Sequence, residues 1–147
     1  MSVLIQGNEL RTLLGGSAPV SKSTGTLAAT TVSLFTVAGG MVVVTSLVGI
    51  VTTAITVANN YKLQINPTTG TTTDICSVTD IGTADTAVGD VLYPAGLTGI
   101  VRGVATYGDG LVLPIGQVEH VSTGTDGVIT WYATWFPYQD GSTLVAA

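Results

Sequence analysis

Charge is what this chain has least of: four Lys and Arg and nine Asp and Glu make up 9 % of its 147 residues, against about a quarter in a typical soluble domain. The basic residues, Arg11, Lys22, Lys62 and Arg102, are scattered and the net charge is −5. A phosphate backbone therefore meets no cationic stripe on which to release counterions, and no nucleic-acid partner is expected. Thiols and imidazoles are as scarce, with one Cys and one His. Cys76 alone can form neither an internal disulfide nor a cysteine-based zinc site, so it reads as a small apolar residue. The opening MSVLIQGNELRTLLGG sets Glu9 and Arg11 close to the start with no long apolar run. It lacks the pattern of a secretory leader, and synthesis in the cytoplasm is expected.

What is abundant is Thr and Gly, 25 and 19 residues respectively, in a chain with a mean hydropathy of +0.55. Residues 41–58, MVVVTSLVGIVTTAITVA, contain no charge at all. A membrane-spanning helix needs about 20 predominantly apolar residues. This stretch is shorter and is broken by Thr45, Ser46, Gly49, Thr52, Thr53 and Thr56. Most of it is Val, Ile or Thr, whose branched Cβ suits a pleated strand, so no membrane partner is expected. Alternation puts Met41, Val43, Leu47, Val51, Ile55 and Val57 on one apolar face. The opposite face, Val42 to Thr56 by even numbers, is mixed and is expected to meet a neighbouring subunit. An unbroken strand of this length would run about 60 Å, so a bend or bulge is expected at Gly49.

Along the rest of the chain the signals are those of an all-β protein. Residues 1–30 read as an extended N-terminal arm, with a possible helical turn at 8–14, and residues 31–147 as one β domain. TVSLFTV (31–37), the 41–58 stretch and YKLQIN (61–66) look like an antiparallel meander, with turns at Ala38-Gly39-Gly40 and Asn59-Asn60. DICSV (74–78) is a short strand or turn, and 79–99 has weak periodicity. Strands are expected at 99–108, 111–122 and 128–138, the last two as a hairpin across TGTDG (123–127). Pro114 places its strand at an edge or a bulge. In the last strand, Ile129, Trp131, Ala133 and Trp135 form the core face. A small antiparallel sandwich or barrel accommodates this pattern.

The search for chemistry yields no catalytic, cofactor-binding or metal-ligating residue, and an enzyme is not expected. Glu119 and His120 point to opposite faces of a strand, so they do not act on one site, and His120 reads as a surface or satisfied hairpin residue. Asp74, Asp80, Asp85 and Asp90 lack the spacing of a calcium loop and read as turn and cap residues. YGDGLVLPIG has neither the helix nor the Lys of a phosphate-binding loop. The aromatic cluster Trp131, Tyr132, Trp135, Phe136 and Tyr138 could stack on sugars, but alternation divides it between two faces, and core packing with a subunit contact is the simpler account.

SLFTVAGGMVVVTSLVGIVTTAI (33–55), NPTTG (66–70), DICSV (74–78) and WYATWFPYQDG (131–141) together resemble small virion structural proteins of tailed bacteriophages, particularly those of actinobacterial hosts. The resemblance implies a head decoration protein on the capsid surface, with the major capsid protein and further copies of itself, commonly as a trimer, for partners. It carries across no catalytic residue. A tail component of the same virion and a carbohydrate-binding β module are the alternatives.

Overall fold

The computed structural model describes residues 18–84, 86–95, 105–107 and 110–147. Among them there is no helix, and the chain forms strands throughout: β1 (Val20–Thr26), β2 (Thr31–Ala38), β3 (Val42–Thr53), β4 (Asn60–Pro67), β5 (Thr73–Asp74) and β6 (Thr79–Asp80). These are followed by β7 (Val91–Leu92), β8 (Ala105–Tyr107), β9 (Gly110–Leu113), β10 (Gly116–Val121), β11 (Val128–Pro137) and β12 (Thr143–Ala146). They build two antiparallel sheets packed as a sandwich. The first has the order β1-β11-β3-β9-β8 with β7 beside β3, the second β12-β2-β10-β4-β5 with β6 beside β4.

The connectivity corrects two readings. Residues 31–66 are not a meander, because β2 and β4 lie in the second sheet and β3 in the first. The TGTDG turn does not close a hairpin either: it carries the chain from β10 in the second sheet to β11 in the first. Alternation reports which face is buried but not which sheet a strand joins, so neighbours in sequence are easily mistaken for neighbours in space. Pro114 sits where the 111–122 segment leaves β9 in one sheet and enters β10 in the other. A residue with no N–H to give a ladder suits such a corner.

Part of the span read as an arm belongs to the first sheet, since β1 pairs with β11 from Val20↔Ala133 to Thr26↔Val128. Val20 packs against the core and Leu27, just beyond, is 2 % exposed. Residues 1–17 and the helical turn expected at 8–14 lie outside the described residues. At the other end β12, within a stretch with no strand signal, pairs with β2.

The long apolar stretch is β3, and its bulges do not fall at Gly49. The register against β11 passes from Val44↔Trp135 to Ser46↔Thr134, and from Val51↔Ile129 to Thr53↔Val128, leaving Thr45 and Thr52 as the extra residues. Each extra residue changes which parity faces inward. Before Thr45 it is Val42 and Val44 that enter the core, whereas Val43 is buried on the other side, paired with Phe136 and Val112. After Thr45 the inward residues are Leu47, Gly49 and Val51, as expected, but Val57 is 47 % exposed. A Cβ on Gly49 would stand 2.9 Å from Ile129 Cγ2 and 3.1 Å from two atoms of the Trp131 ring. The glycine is there for close approach of an aromatic, not for a bend.

The two inner faces meet in a core that includes Leu34, Phe35, Ile55, Leu63, Leu113, Ile129 and Trp131, each at most 2 % exposed. Trp131 and Ala133 lie inward as expected, with Trp135 partly buried against the same core. The turn between β2 and β3 uses Gly39 at φ 74°, where a Cβ would lie 2.3 Å from Gly141 O. The sequence signal for a turn there rests on that close backbone contact.

Candidate functional site

The inner faces of β4, β10 and β11 bring three rings together. Tyr61 and His120 project from adjacent strands of the second sheet and stack with centroids 5.3 Å apart at 17°. Tyr61 also lies 6.3 Å from the Trp131 ring of the opposite sheet, nearly parallel at 8°. Trp131 Nε1 donates to Tyr61 Oη at 2.8 Å, a buried bond between the two sheets. Desolvation pushes the Tyr61 phenol far above its ordinary value, so it stays protonated. His120 is 1 % exposed and neither ring nitrogen has a partner among the described residues. Burial drives its pKa down to about 4, and the imidazole is neutral at pH 7. His120 is thus neither a surface residue nor a satisfied hairpin residue, as the sequence suggested. The expected hairpin does not exist, and the inward side of β10 is the core.

Glu119 does project the other way, to the outer face of the second sheet, where it accepts from Gln64 Nε2 at 2.7 Å and Asn66 Nδ2 at 3.1 Å. Thr72 Oγ1 donates in turn to Asn66 Oδ1, and Lys62 pairs with Asp74 at 2.5 Å. That outer face is polar. The first sheet's outer face differs: Val48 and Ile50 are half-buried there, and Tyr132 and Val91, their register partners on either side, are 40 % and 58 % exposed.

Of the acidic residues read as turn and cap residues, Asp80 and Asp90 serve turns, whereas Asp74 lies in β5. Asp80 accepts from the backbone N–H groups of Asn59, Gly82 and Thr83 and from the Thr83 hydroxyl, which holds its carboxyl far below the ordinary range. Asp90 accepts from Ala87 N–H at 2.8 Å. Asp85 lies outside the described residues. Among the described residues no three His, Cys, Asp or Glu side chains come together as a metal site. No helix among them is long and apolar enough to cross a membrane.

One concave site forms at the side of the sandwich where β4 and β6 face β7 and β11: a cleft of about 410 Å³. Tyr61, Leu63, Ile81, Leu92 and Trp131 supply its apolar walls. Ser77 and Thr79 line one side, and Tyr93, Pro94 and Ala95 another. Its position follows from register, because Gly49 has Leu92 on one side and Trp131 on the other. Cys76 also lines it, its Sγ accepting from Leu63 N–H at 3.3 Å, and burial pushes the thiol pKa up. It is a poor nucleophile. No sequence signal marked this cleft, since it is made by residues from four separated segments. The Tyr61, Leu63 and Trp131 positions were legible only as core faces.

No family model, no curated protein and no solved structure matches this chain.

Proposed function

We propose that the chain is a phage virion structural protein, a capsid decoration (cement) protein that binds the outside of the major capsid shell and stabilises it. The observation that carries the reading is the outer face of the first sheet. There Val48 and Ile50 of β3, Val91 of β7 and Tyr132 of β11 present apolar surface on neighbouring strands. Contiguous exposed apolar area of this kind is characteristic of contact surfaces, and a closed ring of copies buries it symmetrically. The polar outer face of the second sheet, with its bound-up Glu119, suits exposure on a particle. Partners on this reading are the major capsid protein and two further copies of the chain.

The test is native mass together with particle binding. A trimer of this 14.9 kDa chain has a mass of about 45 kDa, and Ile50→Glu should convert it to monomer without loss of the β signal in circular dichroism. Deleting residues 2–17 leaves β1 in place and should weaken capsid binding. Particles that keep full occupancy of the truncated protein would show that residues 2–17 contribute nothing to capsid binding. A tail component of the same virion is separated by electron microscopy of particles labelled against this protein, where label at the tail overturns the decoration reading.

A further inference from the structure

The cleft between the sheets has features that a structural role does not use. Its volume of about 410 Å³ falls in the range, roughly 300–1,000 Å³, that encloses a small organic molecule. Among the described residues, no Lys, Arg, Asp or Glu lines it. Its back wall is held in place before anything binds: Trp131 is seated over Gly49, and Tyr61 is clamped between Trp131 and His120. The Tyr61 oxygen accepts the indole N–H, and its own hydroxyl proton has no acceptor among the described residues, although the residue is only 5 % exposed. A phenol both donates and accepts, and a donor left unused in a desolvated place is costly until an acceptor arrives.

We propose that this cleft binds a small uncharged molecule, an apolar ring or chain carrying one hydrogen-bond acceptor that takes the Tyr61 hydroxyl proton. The apolar part lies against Leu63, Ile81, Leu92 and the Trp131 ring. Tyr93, 72 % exposed at the rim, offers a further aromatic surface at the mouth. Among the described lining residues an anion finds no cation and an ammonium finds no carboxylate, which favours an uncharged occupant. The inference does not depend on the virion reading, because the cleft opens at the side of the sandwich and the proposed contact face is the outer surface of the first sheet.

Acetophenone and ethylbenzene, a ring with and without an acceptor, are suitable probes, each titrated into the full-length protein to its solubility limit. The readout is the pair of indole N–H resonances, with Trp135 outside the lining residues serving as an internal control. Acetophenone should move the Trp131 resonance saturably and leave Trp135 in place. It should bind at least about threefold tighter than ethylbenzene, the worth of one neutral hydrogen bond. Tyr61→Phe should remove that difference, and Leu92→Trp, which fills the cleft, should remove binding of both probes. No saturable shift of Trp131, equal affinity for the two probes in the unmodified protein, or equal movement of Trp135 overturns the proposal. So does finding the cleft already filled by residues 96–104 of this chain in a crystal structure. The contrast between probes in the unmodified protein decides the matter even if neither variant folds.

Discussion

Trp131 Nε1 donates to Tyr61 Oη at 2.8 Å across the interior, so a residue of β11 in the first sheet and one of β4 in the second share a buried hydrogen bond. Tyr61→Phe keeps the ring and its stacking but leaves the indole N–H with no acceptor. An orphaned buried donor costs about 1–3 kcal/mol. Urea denaturation should show a lower midpoint with an unchanged slope, and a midpoint equal to that of the unmodified protein would mean the bond contributes nothing.

Gly49→Ala tests the close approach of Trp131 to β3. The added methyl meets Ile129 Cγ2 and the indole edge at about van der Waals overlap, and overpacking of this kind costs roughly 1–3 kcal/mol. The same substitution at Gly25, where a Cβ meets nothing within 4 Å, has no such clash but sits at φ 66°. Its cost should therefore come from backbone strain alone, about 1 kcal/mol. Comparing thermal unfolding of the two variants separates steric crowding from strain.

Acid should act through His120 before it acts through the carboxylates. Its pKa is about 4 in the folded protein against an ordinary 6.5, so the unfolded chain binds a proton that the folded chain refuses. Stability is full above pH 6.5 and declines as pH falls to about 4, by on the order of 3 kcal/mol. Asp80 and Asp126 are shifted below an ordinary value of 3.8, and their contributions are lost only as pH falls further. Among charged and titratable neighbours, Tyr61 faces His120 and stays protonated, while Glu119 points to the other side of the sheet. Denaturant midpoints at pH 7, 5.5 and 4.5 should fall for the unmodified protein and change much less for His120→Leu. Parallel curves for the two would refute this assignment.

Asn59 joins three loops. Its Oδ1 accepts from Ser122 Oγ, Thr123 N–H and Gly124 N–H, each at 3.0 Å, while its own N–H donates to Asp80 Oδ1 at 3.0 Å. Asn59→Ala strips the acceptor from three donors in the interior and should cost at least about 2 kcal/mol. Hydrogen exchange at Thr123 and Gly124 should rise more than exchange in the distant β2–β3 turn. Uniform change across the molecule would argue against a local role.

The strands themselves were largely legible, because alternation of Val, Ile and Thr is set by burial of one sheet face: 31–37, 61–66 and all but the last residue of 128–138 lie in observed strands. The faces of β3 were legible only after Thr45. A bulge adds one residue to one strand, and nothing in VVVTSLV distinguishes the residue that will be extra. Sheet membership was not legible at all, since the TGTDG turn has the composition of a hairpin turn and instead spans the gap between sheets. β12 has four residues, and TLVA is too short for periodicity to register. The cleft and the Tyr61–His120 stack depend on which strands become neighbours, so they inherited that uncertainty. The turn reading holds for Asp80 and Asp90, whose partners include N–H groups two or three residues away, but not for Asp74, which lies in β5 and pairs with Lys62.

The exchange of the chain between sheets at seven of its eleven connections also constrains the order of events during synthesis. β1 is made about a hundred residues before its partner β11. β2 likewise waits for β10 and β12. Neither half of the chain contains a complete sheet, so a nascent chain has no early fragment that can settle into its final form. Folding of such non-local pairings runs in milliseconds to seconds. Strands β1 to β12 must nearly all be made before the sandwich can close, and until then the uncharged β3 segment lacks its partner β11 and is prone to association.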